Sequence, residues 1–425
     1  MEYEKQTIAV IGSGISGLAA AWLLSQQHDV TLYEAEPRLG GHSHTVDVTV
    51  EEKTIPVDTG FLVCNDRTYP NLLAMFKHLD VELVASDMSF SVQIQRDNLE
   101  WSGTSLATLF GDNRNLFRPK FWRMVLDVLR FNRQSLLLLA EQDTGLSLGE
   151  YLARERYSEA FKQWYLLPMA AAIWSCPTAK MLDFPATTLI RFFKQHGLLQ
   201  VTNRPQWMTV KNGSRSYVEK LRQKIPNIKT NDAVTHITRD AGGVTITSQS
   251  GVSDFDHVVL ACHSDQALAM LSDVSAAEAS ILGRIKYQPN RAVLHTDASV
   301  LPSRVALWSA WNFHTHHVAN TEQAVSLSYL INKLQPLTVA EPVIVTLNPQ
   351  ATIPSNHVLA DIHYEHPVLD CAAISAQAKL PDIQGIQNTW FCGAWTAYGF
   401  HEDGLKSALN VVNQFGIAAP WQASI

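Results

Sequence analysis

Residues 7–17 have the sequence TIAVIGSGISG, in which a β-branched apolar run is followed by glycines at positions 12, 14 and 17. The run predicts a buried strand, the small residues from about 16 to 26 predict a helix, and the apolar residues 30–33 predict a second strand. A strand, a glycine-rich turn, a helix and a strand in this order form a βαβ unit. The start of the chain therefore predicts an α/β fold.

The three glycines each have a separate physical use in a βαβ unit that binds a dinucleotide. Gly12 permits the tight turn, Gly14 lets the backbone approach a pyrophosphate, and Gly17 lets the helix pack closely on the strand. The first helical residues, Ile15 and Ser16, offer free N–H groups and a partial positive charge to phosphates. The alternative is a glycine turn that binds no ligand.

The composition sets limits on the remaining interpretation. The chain has 425 residues, 46% of them apolar, and a formal net charge of −7. The apolar content excludes a disordered chain, and the negative charge argues against general electrostatic binding to nucleic acid. The five cysteines are widely dispersed, as reduced thiols in a cytosol would be, and neither a signal peptide nor an apolar run long enough to cross a membrane is evident. We therefore expect a cytoplasmic protein.

A second motif follows the βαβ unit. Residues 34–41 are EAEPRLGG, and Glu34 closes the second predicted strand, where a carboxylate accepts hydrogen bonds from ribose hydroxyls. This motif resembles the FAD-binding signature of the flavin amine oxidase and phytoene desaturase superfamily. The resemblance implies that Gly40 and Gly41 approach the pyrophosphate, that Arg38 lies near the phosphates, and that His44 and Thr45 lie towards the flavin ring. The alternative is that Gly40 and Gly41 form an ordinary hairpin turn.

Two later segments carry the same resemblance. Residues 233–237, AVTHI, resemble the strand whose backbone, here at Val234, contacts the adenine end of FAD. Residues 391–408 resemble the final strand and the helix that points at the flavin. No cysteine lies in residues 395–399, so the resemblance implies that FAD is bound non-covalently. The residues expected to contact FAD are Gly12, Gly14, Ile15, Ser16, Gly17, Glu34, Ala35, Arg38, Gly40, Gly41, His44, Thr45, Gly60, Phe61, Val234, Gly393, Ala394, Asp403, Gly404 and Leu405.

The resemblance also implies the architecture. It is an α/β fold in which a Rossmann-like FAD-binding domain is interwoven with a mixed-sheet and helical substrate domain, as in amine oxidases. We assign residues 1–65, 205–270 and 385–425 to the FAD-binding domain, and residues 66–204 and 271–384 to the substrate domain. The hydrophobic pattern predicts a hairpin in residues 42–60, mostly helix in residues 66–200, and strands at 292–295 and 324–328.

Several further segments resemble a narrower bacterial group within this superfamily. They include residues 57–61 (VDTGF), 69–72 (YPNL), 171–175 (AAIWS) and 308–312 (WSAWN). The group consists of flavin oxidoreductases associated with cyclopropane fatty acid synthase-like methyltransferases. The resemblance implies a fatty acyl chain or another lipid as the substrate.

Residues 114–133 are locally basic in an acidic protein. Their cations are interleaved with aromatic and aliphatic residues, and Asp127 is the single acid among them: Arg114, Arg118, Lys120, Arg123, Arg130 and Arg133. Such a stretch could lie on an anionic membrane, for example at the inner membrane face. The alternative is a helix with one face on the core and a solvated basic face.

The sequence signals for catalytic residues are weaker than those for the cofactor motifs. His295 and Asp297, two apart on a predicted strand, would face the same side, and an aspartate can orient a histidine as a proton carrier. Amine oxidases of this superfamily often place a lysine near flavin N5, but the corresponding region here has Asn290-Arg291, and Lys333 is a poorly supported substitute. The cluster of His314, His316 and His317 lacks the partners of a zinc site, so no metal is expected. The oligomeric state is not predictable from these features.

Three function hypotheses follow. The first is an FAD-dependent oxidoreductase that transfers a hydride from a hydrophobic substrate to flavin N5, where the protein positions the reacting carbon and excludes water. The second is an oxidase of small amines with an aromatic cage formed by Trp395, Tyr398 and Phe400. The third is a flavin-binding isomerase that causes no net oxidation of its substrate.

Overall fold

The computed structural model describes residues 4–140, 145–200, 202–315 and 326–422. The strands, numbered in chain order, are β1 (Thr7–Ile11), β2 (Asp29–Tyr33), β3 (Thr45–Val50), β4 (Lys53–Asp58), β5 (Cys64–Asn65), β6 (Leu83–Ala85), β7 (Phe90–Ile94), β8 (Leu99–Ser102), β9 (Trp207–Val210), β10 (Asn227–Lys229), β11 (Val234–Asp240), β12 (Gly243–Ser248), β13 (Gly251–Phe255), β14 (His257–Leu260), β15 (Lys286–His295), β16 (Trp311–Thr315), β17 (Ser326–Leu330), β18 (Ile344–Leu347), β19 (Val358–Val368) and β20 (Thr389–Phe391).

The α-helices, interspersed with short 3-10 turns, are α1 (Ile15–Leu24), α2 (Pro70–His78), α3 (Leu106–Leu109), α4 (Pro119–Leu138), α5 (Leu148–Arg154), α6 (Glu159–Phe161), α7 (Leu167–Trp174), α8 (Ala186–Gln195), α9 (Arg215–Arg222), α10 (Ser264–Met270), α11 (Ala276–Leu282), α12 (Ile331–Leu334), α13 (Cys371–Gln377) and α14 (His401–Gln414). Among the described residues, no helix combines the length and the apolar character needed to cross a bilayer.

The predicted βαβ unit is present and lies in the middle of a parallel sheet. Within the described residues this sheet has the strand order β10-β2-β1-β14-β20, and every neighbouring pair is parallel. Strand β1 is central, so its apolar side chains are buried on both faces of the sheet, as the continuous run in the sequence predicted. Helix α1 is buried along its whole length because α14 and α9 pack against it. The prediction of an α/β Rossmann-like unit is confirmed.

The hairpin predicted within residues 42–60 is also present. Strands β3 and β4 pair antiparallel, with Thr45 opposite Asp58. There are two small sheets among the described residues, with the orders β5-β9-β6 and β11-β12-β13. The first pairs β9 with strands more than 120 residues earlier in the sequence, whereas the second is a meander of three consecutive strands.

The second large sheet has the order β19-β15-β18-β17-β16-β7-β8. It is mixed, because β16 pairs parallel with β7 whereas the other neighbouring strands in this order pair antiparallel. The expected mixed sheet with helices packed beside it is therefore confirmed. The fold follows the predicted class, while the exact domain boundaries stay a prediction.

Three local expectations need a correction or fall partly outside the described chain. Residues 66–200 contain helices α2 to α8, as expected of a mostly helical segment, but the short strands β6, β7 and β8 also lie among them; the alternation of polar and apolar residues in β7 (FSVQI) suits a strand that completes a sheet. The last helix, expected from about Gly404 to Phe415, begins earlier, at His401, because the carboxylate of Asp403 accepts the N–H of Phe400 and caps the helix. The strand expected at 324–328 is described from residue 326 onward, and residues 324 and 325 lie outside the described residues.

Candidate active site

A cavity of about 1600 Å³ extends from the glycine-rich turn after β1 into the space beside the mixed sheet. Its wall changes character along its length. At one end it consists largely of main chain and glycines, and at the other it consists of aromatic and aliphatic side chains. This volume exceeds the usual range of small-molecule pockets, so it can hold a dinucleotide together with part of a substrate.

The glycine-rich turn has the geometry that a dinucleotide requires. Gly12 has φ +99°, a conformation that other residues rarely adopt. A Cβ atom on Gly17 would lie 1.8 Å from the carbonyl oxygen of Gly12, so only glycine permits this contact between helix and turn. A Cβ atom on Gly14 would meet nothing within 4 Å, so this residue borders open space. That space is where a pyrophosphate would approach the start of α1.

Glu34 supports this turn at the end of β2. One carboxylate oxygen accepts the N–H and the hydroxyl of Ser13 at 2.9 and 2.5 Å, and the other accepts the N–H of Glu36 at 2.9 Å. The same carboxylate lines the cavity. It is therefore placed both to hold the turn and to accept a hydrogen bond from a ribose hydroxyl.

The second glycine pair packs directly on the first turn. The N–H of Gly40 donates to Ser13 O at 3.0 Å, and a Cβ atom on Gly41 would lie 3.2 Å from the Cα of Gly14. Arg38 donates from Nη1 to Gly41 O at 2.8 Å and lines the cavity. These residues lie in the connection from β2 to β3 and not at a hairpin tip. The interpretation as an ordinary hairpin turn is therefore wrong. The guanidinium of Arg38 lies at the cavity beside the two glycine turns, where the phosphates are expected.

The start of α14 meets the start of α1 at the same cavity. Ser16 donates from Oγ to Gly404 O at 2.9 Å, and a Cβ atom on Gly404 would lie 2.9 Å from Ile15 Cγ2 and from Ser16 Oγ. Glycine at position 404 thus permits two helix N-termini to converge. Burial raises the pKa of the Asp403 carboxyl to about 6.

The predicted cofactor residues divide into two groups. Gly17, Thr45, Asp403, Gly404 and Leu405 stand behind the cavity wall and shape it without lining it. The others line the cavity: Gly12, Gly14, Ile15, Ser16, Glu34, Ala35, Arg38, Gly40, Gly41, His44, Gly60, Phe61, Val234, Gly393 and Ala394. The residues present therefore fit FAD, because they combine a Cβ-free approach, convergent helix N-termini and a cation over one continuous cavity.

A group of imidazoles in the wall was not predicted as a functional feature. His42 stacks on Tyr364 with ring centroids 4.9 Å apart, and it lies 5.2 Å from the ring of His366. Burial lowers the pKa of His42 well below its usual value and lowers the pKa of His366 to about 4. The Nε2 atom of His42 is buried without a hydrogen-bond partner among the described residues. The neutral imidazole of His42 thus lines the cavity, while its unpartnered Nε2 is enclosed in the wall.

His401, the first residue of α14, is a second missed residue. Its ring stacks on Phe61 with centroids 3.7 Å apart, and its Nε2 lies 2.8 Å from Ser43 Oγ and 3.2 Å from the hydroxyl of Tyr217. Burial lowers its pKa to about 3, so the ring is neutral at ordinary pH. The sequence signal for His401 is its position within residues 391–408, the segment that resembles the final strand and the helix that points at the flavin.

The three catalytic candidates lie away from the cavity. Strand β15 ends at His295, so the expectation that His295 and Asp297 share one strand face was wrong. Asp297 donates its N–H to His295 Nδ1 at 3.1 Å, and its carboxylate caps the following 3-10 turn. His295 is fully buried, with Nε2 2.8 Å from Thr346 Oγ1. Lys333 Nζ lies 3.7 Å from the carboxylate of Asp87; Asp87 lines the cavity, but Lys333 does not.

The far end of the cavity is apolar and aromatic. Ring pairs build it: Trp101 with Tyr165 at 5.9 Å between centroids, Trp174 with Phe192 at 4.8 Å, and Trp311 with Tyr329 at 4.9 Å. Among the residues that the structure describes, no lysine lines the cavity. This end can therefore accommodate an extended apolar group.

The proposed aromatic cage is only partly assembled. Tyr398 and Phe400 pack on the ring of Phe192, with centroids 5.5 and 5.2 Å apart. Trp395 also lines the cavity, but its indole N–H donates to Cys262 O at 3.0 Å and it packs with a different apolar cluster. The three rings do not form one enclosure in this structure.

The predicted histidine cluster carries no metal site that can be described. His316 and His317 lie outside the described residues, and within the described ranges no three potential ligands are grouped to hold a metal ion. The five cysteines are free thiols.

Comparison with known proteins relates this chain to one family of flavin-containing enzymes. The family model described as flavin containing amine oxidoreductase matches residues 15–304, more than half of the chain. AofH of Mycobacterium tuberculosis, named as a proposed flavin-containing monoamine oxidase, is 26% identical over 271 residues, which cover 60% of this chain and 56% of that protein. The carotenoid phi-ring synthase of Streptomyces griseus is 27% identical over 325 residues, which cover 71% of this chain and 59% of that protein. The chain thus spans little more than half the length of these curated relatives.

A solved structure extends the similarity to the whole fold. The crystal structure of a fatty acid isomerase from P. acnes superposes with a TM-score of 0.68 and 16% identity, and the match covers 97% of this chain and 99% of that one. At this identity the similarity concerns the fold alone.

Proposed function

The chain belongs to the flavin-containing amine oxidoreductase family, whose cofactor is FAD, and from this premise we propose that it oxidises an extended apolar substrate by hydride transfer to flavin N5. A fatty acyl chain, or another lipid, is the substrate class that we propose. The supporting observation is the cavity itself, which runs from the glycine-rich turns to an aromatic chamber without a lining lysine among the described residues.

The chain's own residues have separable tasks in this proposal. The glycine-rich turns and the N-termini of α1 and α14 hold the cofactor, and the aromatic chamber aligns an apolar chain and excludes water. FAD, when bound, supplies the acceptor for the hydride and its electron pair. We propose that the ring of His42 takes the accompanying proton, because it is neutral and lines the cavity. Oxygen or a quinone would then accept the electrons from the reduced cofactor.

Location at a membrane is a further part of this proposal. The free cysteines agree with a cytoplasmic protein, and the basic stretch 114–133 would hold it at the inner membrane face by contact with anionic lipid. A substrate drawn from that membrane would be apolar, in keeping with the chamber.

The first test is the identity of the small molecules released when the purified protein is denatured. Mass spectrometry should detect intact FAD, as expected for non-covalent binding, and a co-purified acyl lipid. Panels of acyl lipids and small amines are then added anaerobically while the visible absorbance of the flavin is followed. We expect bleaching by an acyl lipid and none by the amines. Bleaching by an amine alone would contradict the proposal.

Isomerisation of a lipid is a second candidate, because a fatty acid isomerase shares this fold over nearly the whole chain. In that reaction, the hydride removed from one carbon returns to another carbon of the same molecule. Oxidation yields a product that has lost two hydrogens, whereas isomerisation yields a product of unchanged mass. Without an external electron acceptor, isomerisation continues for many turnovers and gives a product of unchanged mass, whereas oxidation stops after one turnover for each FAD, so turnover number and product mass together distinguish the two reactions.

A further inference from the structure

Helix α4 has an unexpected solvent side. The sequence allowed for a buried face and a solvated basic face, but the exposed stripe of this helix is largely apolar. Its members recur at helical spacing and are Trp122, Leu126, Leu129, Leu136 and Leu137, interrupted by Arg133. The opposite stripe, which contains Phe121, Met124 and Phe131, faces the core. The helix therefore does not have one apolar and one polar face, because both of its long faces carry large apolar side chains.

The exposure is concentrated in one place. Leu126 and Leu137 are 61% and 66% exposed, and the neighbouring Leu106 and Phe117 are 77% and 85% exposed. Scattered exposed leucines need no explanation, whereas a contiguous group of this kind marks an interaction surface. We call the group formed by Leu106, Phe117 and the α4 stripe the apolar face.

Cations surround the apolar face. Lys120, Arg123 and Arg133 are exposed on α4, and Arg118 lies at its N-terminal cap. Arg123 and Arg130 are held in place by the buried carboxylate of Asp127, at 3.2 and 3.1 Å. Large apolar side chains that project between fixed cations, in a chain of net charge −7, are complementary to a bilayer with anionic headgroups.

The cavity reaches the same side of the molecule. Gly103 and Thr104 line the cavity and are exposed, and Leu106 follows them at the start of α3. At the other end of α3, the ring of Phe110 lies 5.0 Å from the ring of Trp122 on α4. The cavity rim, α3 and the apolar face thus form a continuous path along the surface.

We propose that the apolar face docks on an anionic bilayer and that an acyl chain passes from the bilayer into the cavity across the rim at Gly103 and Thr104. This inference sharpens the membrane location given with the proposed function and rests on that function for the nature of the passenger, while docking is tested separately from the reaction. A bilayer is the occupant that unites the cations, the apolar side chains and the adjoining opening. A second copy of the chain would need acidic groups opposite these cations.

Docking is tested by sedimentation of the purified holoprotein with vesicles. We expect binding to vesicles that contain phosphatidylglycerol, weak binding to pure phosphatidylcholine, and a loss of binding as salt is raised. The double variant Leu126→Asp/Leu129→Asp should lower the partition coefficient about tenfold or more. Val252→Asp/Ile386→Asp is the matched control, because these residues are also exposed but lie away from the apolar face. Equal losses in both variants, or no binding by the wild-type protein, would overturn the proposal.

Two further readouts separate the competing explanations. Vesicles with brominated acyl chains should quench tryptophan fluorescence more in the wild-type protein than in Trp122→Phe, because Trp122 enters the bilayer. Sedimentation velocity reports self-association. One outcome would contradict docking on lipid: the wild-type protein is a dimer that does not bind vesicles, and Leu126→Asp/Leu129→Asp is monomeric. The apolar face would then be assigned to a second copy of the chain.

The entry route is tested with the fluorescent fatty acid cis-parinaric acid. The Cβ of a residue at position 103 would make only an ordinary contact with Trp101, 3.6 Å away, so Gly103→Phe should fold. We expect this variant to take up the probe from vesicles severalfold more slowly while its equilibrium affinity for the free probe is unchanged. Wild-type transfer rates in Gly103→Phe would contradict the route. Failure of every variant to bind the free probe would instead contradict the proposed acyl substrate, and the vesicle assay would still decide docking.

Discussion

The two ends of the cavity are built in different ways. At the cofactor end the wall is main chain: Gly12, Gly14, Gly40 and Gly41 bring two turns to within contact distance of each other. At the substrate end the wall is made of side chains from α7, α8 and several strands, which lie far apart in sequence. The cofactor end depends on glycine positions, where a Cβ atom would meet backbone or enter the space of the cofactor. The substrate end depends on the volume of apolar side chains, which several residue types can supply.

This difference determines which substitutions each end tolerates. A main-chain wall leaves little freedom, because an added methyl group meets either backbone that cannot move, as at Gly17, or the space open to the cofactor, as at Gly14. A side-chain wall can be repacked, and its shape can change without loss of the fold. Substitutions at the two ends should therefore differ in kind: cofactor binding is lost at one end, with or without loss of the fold, and substrate affinity is altered alone at the other.

The largest effect is expected from Gly17→Ala. Its methyl group would lie 1.8 Å from Gly12 O, so α1 must move away from the turn. We expect a loss of roughly 3 kcal/mol or more in the free energy of unfolding, together with loss of FAD. Denaturant unfolding and flavin absorbance measure both. A Gly17→Ala protein with wild-type stability would contradict the packing described for this turn.

Gly14→Val should break the cofactor end without breaking the fold. A side chain at this position meets nothing within 4 Å in the protein, but it fills the space assigned to the pyrophosphate. We expect FAD affinity to fall by about a hundredfold or more, while circular dichroism and solubility stay normal. Gly14→Ala serves as the graded control and should lose less affinity. Full FAD occupancy in Gly14→Val would show that the ligand does not approach here.

The imidazoles between the two ends should make the protein sensitive to acid. The pKa of His401 is lowered to about 3 and that of His44 to about 4, so protonation favours the unfolded chain, where these groups titrate near 6.5. Stability is therefore full above about pH 6.5 and falls as pH drops towards the folded pKa values. Protonation of His401 should cost roughly 2 kcal/mol at pH 5, and that of the half-buried His44 should cost less because solvent screens its charge.

The control for this prediction separates His401 from opposing groups. Asp58 and Asp403 have pKa values raised to about 6, so their protonation stabilises the fold over part of the same range. His401→Gln should show a smaller loss of stability between pH 7.5 and pH 5 than the wild-type protein. His236→Gln changes an exposed ring and should leave that loss unaltered. An identical acid dependence in His401→Gln would contradict the assignment.

A milder change is expected at the substrate end. Ile173 lines the cavity at the end of α7, and Ile173→Trp would fill part of the aromatic chamber. We expect the affinity for cis-parinaric acid to fall about tenfold, with FAD content and the flavin spectrum unchanged. Loss of FAD in this variant would mean that the two ends are not independent.

The smallest effect is expected from Lys333→Met. The side chain is partly exposed, and its ion pair with Asp87 spans 3.7 Å. Such a pair contributes about 0.5 kcal/mol or less, and Lys333 does not line the cavity. Turnover and stability should both stay close to wild type. A large loss of turnover would restore Lys333 as a catalytic candidate.

The comparison also explains what the sequence could predict. The cofactor end was predictable because its chemistry depends on glycines at fixed spacing in one βαβ unit and on short motifs nearby. The choice of His295 and Asp297 failed because spacing along a strand says nothing about which strand end borders the cavity. The cavity position of His42 and His366 could not be predicted either, since it depends on β19 lying beside β15 in the mixed sheet.

Helix α4 shows a second limit of the same kind. Its composition indicated a basic, aromatic-rich amphipathic helix, and the basic and aromatic residues are present on a helix, but its solvent side is largely apolar. Which of its two apolar stripes faces the core depends on tertiary packing, for example of Phe131 against Phe161, centroids 5.4 Å apart. Periodicity alone cannot distinguish two apolar faces from one broad face.

The order of strands in the parallel sheet has a consequence for synthesis on the ribosome. Strand β1 pairs with β14, and β14 pairs with β20, so the sheet that begins at residue 7 is finished by residues 389–391. During translation, β1 therefore lacks its second neighbour until β14 has emerged, and the edge strand β20 joins β14 later still. The cofactor end, which depends on close backbone contacts in the mature molecule, is thus among the last parts to be completed.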